Sequence, residues 1–286
     1  MAAALAATGV GQASAELEAA LATPPDPTAA GFFDVDNTMM RGASIYYFAR
    51  GLASRKYFTT GDLVQFALRQ LRFRLLAAEH GGDVSRARQA ALAFVAGRGV
   101  QELRGLAEEI FDELMAERIW SGTLALARLH LDAGQRVWLV TAAPVELGDV
   151  IARRLGLTGA IGTVAEVADG VYTGRLIGDL MHGPAKADAI TALAGTEGLD
   201  LGRCAAYSDS VNDLPMLAAV GHPVAVNPDS ALRRAARERH WEIRDFRTGR
   251  KAARVAMPVA LGAGVVAGVV ATGLAVGRRR LLRRAD

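Results

Sequence analysis

Asp34 and Asp36 stand one residue apart in the run Phe33-Asp34-Val35-Asp36-Asn37-Thr38. Just beyond a strand, two carboxylates at this spacing reach the same small site if the backbone loosens there. One could attack as a nucleophile while the other moves a proton. Taken alone, the same pair is common in solvated surface turns.

Three further features give it weight. Thr141 follows the apolar run Val137-Trp138-Leu139-Val140, Lys186 opens a helical pattern, and Ser208-Asp209-Ser210-Val211-Asn212-Asp213 follows Cys204-Ala205-Ala206-Tyr207. Each has a plain structural reading: Lys186 as a surface lysine, Thr141 as a cap or turn residue, Ser208 to Asp213 as the cap of a helix continuing through Leu214 and Leu217. In this joint order the chemical reading is favoured. Carboxylates crowded against a dianionic phosphate would repel it unless a divalent cation and a lysine offset them.

The elements that must position these groups follow from the hydrophobic pattern. Phe32-Phe33, Val137 to Val140 and Cys204 to Tyr207 are short apolar runs that end in polar residues, as strands buried on both faces do. Helical patterns lie between them, at Val145 to Leu155 and Ala185 to Leu193. The alternation predicts an α/β fold, a doubly wound parallel sheet, in which ligands bind at the carboxyl ends of strands. Asp34, Thr141 and Asp209 fall at such ends.

From about Ser44 to Trp120 only helical patterns occur, such as Leu103, Leu106, Ile110 and Leu114 at three- and four-residue steps. This predicts an all-helical cap inserted after the first strand. Gly162 to Gly174 carries β-branched residues around Asp169-Gly170, the signature of a hairpin. The resulting division is a lead-in at 1–28, a core at 29–43 and 121–245, a cap at 44–120 and a tail at 246–286.

The residues Asp34, Asp36, Thr141, Lys186, Asp209 and Asp213, in this order, resemble the haloacid dehalogenase superfamily. The resemblance is to its subfamily IB, phosphoserine-phosphatase-like hydrolases with a helical cap on a Rossmann-like core, and it runs from about Gly31 to Pro228. It implies that Asp34 is the nucleophile that becomes an aspartyl-phosphate, and that Asp36 is the acid and base, with a raised pKa. Asp34, Asp36 through its main-chain carbonyl, and Asp209 would bind Mg2+ as oxygen ligands. Thr141 with Ala142, and Asn212, would contact the phosphate or substrate. Lys186 would neutralise Asp34 and the phosphate together, and Asp213 would hold the lysine or the metal's waters. Dehalogenases lack the second acid and ion-pumping ATPases carry lysine there, so Asp36 favours phosphatase chemistry.

Two features bear on the substrate. Phosphoserine phosphatases of this subfamily carry a glutamate nine residues past the nucleophile, and here that position is Ala43. The stretch Asp62 to Ala78 sets Phe66 and Phe73 opposite a stripe of Val64, Leu68, Leu71 and Leu75, with Arg69, Arg72 and Arg74 between them. That pattern suits either a lipid phosphate or a central bundle helix.

The chain has 286 residues and a formal net charge of +3, with arginines crowded into the last third. Its single cysteine, Cys204, excludes a disulfide framework. The first thirty residues are alanine-rich without Lys or Arg, unlike a secretory leader. Val255 to Gly277 is apolar and, at about 1.5 Å per residue, reaches roughly 34 Å, enough for a bilayer core. Arg250, Lys251 and Arg254 precede it and Arg278, Arg279, Arg280, Arg283 and Arg284 follow, suiting anionic lipid more than nucleic acid, for which no aromatic stacking pattern is present. Its small-residue spacings, Gly264 to Gly268 and Gly273 to Gly277, permit close helix pairing and a homodimer.

The leading expectation is therefore a Mg2+-dependent phosphomonoester hydrolase with a cytoplasmic core held at the membrane, acting on a lipid phosphate of the lysophosphatidate or phosphatidylglycerophosphate type. The alternatives are a soluble small-metabolite phosphatase of phosphoserine-phosphatase type, and a non-catalytic regulatory or scaffolding protein on the same fold.

Overall fold

The structure, a computed structural model, describes residues 26–57 and 96–247. The expected helix Asp62 to Ala78, the apolar stretch Val255 to Gly277 and most of the lead-in at 1–28 lie outside these residues. Among the described residues no helix is long and apolar enough to cross a membrane.

Strands β1 (Ala30–Asp34), β2 (Arg136–Pro144), β3 (Gly159–Ala168), β4 (Val171–Ile177), β5 (Ala205–Ser208), β6 (His222–Val226) and β7 (Glu242–Arg244) order as β4-β3-β2-β1-β5-β6-β7. Pairing is parallel from β3 to β7 and antiparallel between β3 and β4. After β1 the chain returns first to one side as β2 and later to the other as β5. That switch opens the crevice in which α/β folds bind ligands.

β1 is buried along its whole length, so its sequence Ala-Gly-Phe-Phe-Asp is apolar on both faces until its last residue. Ala30 and Phe32 join one core layer with Val140, Ala206 and Ala225, packed by Ile190, Met216, Leu217 and Leu232 from helices Pro184–Glu197, Leu214–Ala218 and Ser230–Glu238. Phe33 faces the other way, stacked on Tyr207 with ring centroids 4.1 Å apart. On that side a side chain at Gly31 would collide with the His130 ring of helix Ser121–Asp132. Each of the two phenylalanines gains on the order of 2–3 kcal/mol from burial.

The helices start and stop for local reasons. Helix Val145–Leu155 ends at Gly156, at φ 71°, with the Leu157 N–H closing on the Ala152 carbonyl. Helix Pro184–Glu197 opens on proline, which loses no hydrogen bond there, and stops at Gly198, at φ 65°. The predicted hairpin is present: Asp169 and Gly170 have φ 50° and 77°, the two positive values of a type I′ turn.

The chain divides into two compact units. Among the described residues the first comprises 26–44, 116–163 and 181–247, and the second 45–57, 96–115 and 164–180. The second is not built from helices alone, because it takes in the β3–β4 hairpin. The Gly97 N–H donates to the Tyr172 carbonyl (2.8 Å), and the Tyr172 N–H to the Arg98 carbonyl (3.0 Å). Backbone pairing between such distant segments leaves no trace in hydrophobic period.

The expected stripe Leu103, Leu106, Ile110, Leu114 is also displaced. Helix Val100–Ile110 passes into a π-helical turn, Phe111–Met115, and the fully buried residues are Leu103, Ala107, Ile110, Phe111 and Met115. The wider turn advances the buried face by one residue.

Candidate active site

Asp34 is the last residue of β1, paired with Val140, so Thr141 lies one residue beyond it on the neighbouring strand. β2 continues past Thr141 to Pro144 and shifts register after Val140, so Thr141 stands inside the strand where its pairing breaks, not at its end. On the other side Phe33 pairs with Tyr207, which sets Ser208 level with Asp34 and Asp209 just past it.

Beyond Asp34 the chain curls tightly. The Val35 carbonyl accepts the N–H groups of Met39 (2.9 Å) and Met40 (3.0 Å). Asn37 adopts φ 63°, and its Oδ1 accepts the Gly42 N–H at 3.0 Å, a conformation that asparagine tolerates better than most residues. Asp36 Oδ1 accepts the Ser44 N–H at 2.8 Å.

Lys186 occupies the first turn of helix Pro184–Glu197 and is 3% exposed. Its Nζ donates to Asp34 Oδ1 at 2.6 Å and to Asp213 Oδ2 at 2.8 Å. Asp213 Oδ2 accepts a second bond, from Ser208 Oγ at 2.7 Å. Asp209 is held differently: its N–H donates to Thr38 Oγ1 (2.9 Å), and Thr38 Oγ1 donates back to its Oδ1 (3.3 Å). The Asp229 N–H meets the Asp209 carbonyl at 2.8 Å, and Asp229 Oδ2 takes the Val211 N–H at 3.1 Å.

Of the residues singled out from sequence, Asp34, Lys186 and Asp213 are in direct contact. Thr141 is 2% exposed, and its Oγ1 accepts the Ala143 N–H at 3.1 Å. Ala142 is exposed, with its carbonyl bound by Thr163 Oγ1 at 2.8 Å. Asn212 is exposed in the short 3-10 turn Val211–Asp213, its N–H on Ser210 Oγ at 3.2 Å. The sequence reading missed Thr38, Ser44 and Asp229 as supports. Ser208 entered only as part of the run Ser208 to Asp213, with no role of its own, although its place directly before Asp209 is a signal.

Charge is unbalanced here. Of Asp34, Asp36, Asp209 and Asp213, only Asp34 and Asp213 bond the buried Lys186 ammonium. Burial raises the pKa of Asp34 first; Lys186 opposes the rise, and Asp213 and Asp36 add to it. Asp209 is raised by burial and then by Asp34 and Asp213. Burial also raises Asp36, against the Ser44 N–H and hydroxyl. Lys186 is held protonated, because Asp34 and Asp213 outweigh the cost of its burial.

Among the described residues no three His, Cys, Asp or Glu side chains gather into a metal site. The expected ligand set is Asp34, Asp36 through its main-chain carbonyl, and Asp209; the Asp36 carboxylate itself accepts the Ser44 N–H. Two carboxylates with pKa raised by burial, Asp34 and Asp209, fit a hard divalent cation in charge and donor type.

The family model for haloacid dehalogenase-like hydrolases matches residues 32–218, which span the whole constellation. The chain belongs to the haloacid dehalogenase-like hydrolase family. The phosphoserine phosphatase SerB1 of Mycobacterium tuberculosis is 59% identical over 82% of this chain and 76% of its own. This hydrolase is accordingly an enzyme of the phosphatase branch. A protein of unknown function from Bordetella pertussis has a crystal structure with TM-score 0.65 and 31% identity, covering 77% of this chain and 99% of that one. A phospho-aspartyl intermediate analogue of phosphoserine phosphatase, at TM-score 0.51 and 17% identity over 77% and 94% of the two chains, shares the hydrolase's fold.

Proposed function

We propose that this phosphatase hydrolyses a small phosphomonoester of the phosphoserine kind through an aspartyl-phosphate on Asp34. The observation that carries the reading is the buried Lys186 ammonium shared by Asp34 and Asp213, at 2.6 and 2.8 Å. It keeps the attacking carboxylate oriented and partly neutralised in a site that would otherwise reject an incoming dianion.

In the first step an Asp34 oxygen bonds to phosphorus as the ester oxygen leaves, taking a proton from Asp36, a carboxyl whose pKa is raised by burial. In the second, Asp36 draws a proton from water as that water attacks the phosphorus and frees Asp34. Thr141, the Ala142 backbone and Asn212 line the phosphate and substrate side, while Ser208 steadies Asp213. Asp34, the Asp36 carbonyl and Asp209 would hold Mg2+, which supplies charge neutralisation and polarises the phosphoryl oxygens. On this reading residues 44–120 are the cap segment and residues 29–43 and 121–245 the catalytic core.

The ranking of substrates differs from the one expected from sequence. A phosphatase of small metabolites now stands ahead of a membrane-held lipid phosphatase, because the 59% identical relative bears the name of phosphoserine phosphatase. Ala43 leaves the substrate's amino group without the glutamate of that subfamily, so the ester need not be phosphoserine itself.

The test is release of inorganic phosphate, with and without Mg2+, from O-phospho-L-serine, O-phosphoethanolamine and lysophosphatidate. Turnover of the small esters, dependent on Mg2+ and reduced about 10⁴-fold or more by Asp34→Asn, is expected. Turnover of lysophosphatidate alone would restore the lipid reading. No turnover of any ester, including an aryl phosphate, by folded protein would favour a non-catalytic role.

A further inference from the structure

Arg247 is placed by the segment that follows β7. Beyond Arg244 the chain runs along the carboxyl ends of β6 and β7: the Asn227 N–H donates to the Arg244 carbonyl (2.8 Å), and the Phe246 N–H to Asn227 Oδ1 (2.7 Å). Phe246 then lies against Gly122, where any side chain would overlap its ring. The segment is thereby pinned on the edge of the sheet that carries Asp34 and Asp209.

The guanidinium is fixed in turn. Nε and Nη2 form a fork on Asp245, at 2.9 Å to Oδ1 and 2.8 Å to Oδ2, and Nη2 also donates to the Pro228 carbonyl at 3.2 Å. Pro228 directly precedes Asp229, whose N–H is bonded to the Asp209 carbonyl. Arg247 is raised in pKa by its Asp245 bonds first and, more weakly, by the charge of Asp209. Asp245 also takes Arg233 Nη2 at 2.5 Å, so two guanidiniums share one carboxylate. No described residue takes the two N–H groups of Nη1, and the side chain is 43% exposed.

We propose that Arg247 is a specificity-determining residue of this site, its Nη1 edge receiving a carboxylate on the substrate, so that the preferred ester is an anionic phosphomonoester such as an amino-acid phosphate. The inference rests on the function proposed above. An arginine held by a fork at one end presents a rigid planar donor at the other, the geometry a carboxylate pairs with best.

The experiment compares O-phospho-L-serine with O-phosphoethanolamine, which differs from it by lacking the carboxylate, on the full chain with Mg2+. For Arg247→Met, the KM for phosphoserine should rise on the order of ten- to a hundredfold, with kcat little altered. For phosphoethanolamine, kcat/KM should change by less than about threefold. Arg247→Lys, which keeps the charge but not the planar fork, should show the same selective rise if the methionine variant is poorly folded. Equal losses on both esters, or no change on either, overturn the assignment while leaving the phosphatase reading intact. If wild-type protein hydrolyses neither ester, the phosphatase reading for small esters falls and this assignment falls with it.

Discussion

The two ends of the parallel strands are managed in opposite ways. At the amino ends, acids and bases come in matched sets. Arg136, the first residue of β2, pairs with Glu197 and also reaches the Pro27 carbonyl, while Arg203 pairs with Asp26, whose other oxygen is satisfied by Thr28. At the carboxyl ends, Asp34, Asp36, Asp209 and Asp213 come with one buried lysine, which bonds Asp34 and Asp213. Balanced, half-exposed pairs are what a chain needs to stay folded and soluble. A buried surplus of one sign destabilises the chain, and is retained where a ligand of opposite charge completes it.

The comparison can be broken most forcefully inside the aspartate cluster. Lys186→Met removes the one ammonium and leaves Asp34 and Asp213 buried against each other, which should cost about 3–5 kcal/mol of stability. Asp209→Asn removes part of the surplus instead, so in excess EDTA it should raise the melting temperature even though it abolishes Mg2+-dependent turnover. Thermal melts of both variants decide the point. Losses of similar size in the two would mean that the cluster is a balanced structural network and not a site awaiting a cation.

Much of this arrangement could be read before any coordinates. The apolar runs at Phe32-Phe33, Val137 to Val140 and Cys204 to Tyr207 are so short and so purely apolar that burial on both faces was the economical reading, and all three form adjacent strands. The Val145 to Leu155 helix and the Asp169-Gly170 hairpin announced themselves through amphipathic period and turn chemistry. What stayed hidden depends on partners far apart along the chain. Thr38 and Asp209 are 171 residues apart, and their reciprocal bonds follow from β1 and β5 becoming neighbours. The short strands His222–Val226 and Glu242–Arg244 carry little pattern of their own, so the loop that delivers Arg247 could not be anticipated.

A smaller effect should come from the layer between the two ends. His130 has Nδ1 on Gln135 Oε1 at 2.5 Å and Nε2 against the Tyr207 hydroxyl at 2.8 Å. With Nδ1–H donating to Gln135, neutral His130 can accept from Tyr207; the imidazolium cannot. Burial lowers its pKa, Gln135 partly opposes this and His222 reinforces it. Because the unfolded chain binds the proton more readily, stability is full above the ordinary histidine value of about 6.5 and declines as pH falls below it. Melting temperatures followed down through that value should drop in the wild type, and less steeply in His130→Gln. Parallel slopes would remove His130 as the cause.

The smallest effect should be at the amino ends, and it tests the other half of the comparison. Arg203 Nη2 meets Asp26 Oδ2 at 2.8 Å, but the arginine side chain is 59% exposed. Water and salt screen such a pair, and holding a long side chain in one geometry costs entropy, so Arg203→Gln should change stability by less than about 1 kcal/mol. The difference should shrink further as ionic strength rises. Asp26 retains its bonds from the Thr28 N–H and hydroxyl, at 3.0 and 2.7 Å, so its carboxylate is not stranded when the arginine is lost. Denaturant midpoints at low and high salt measure this directly. A loss approaching that of Lys186→Met, and insensitive to salt, would show that the amino end is as tightly committed as the carboxyl end, and that surplus charge is not what sets the site apart.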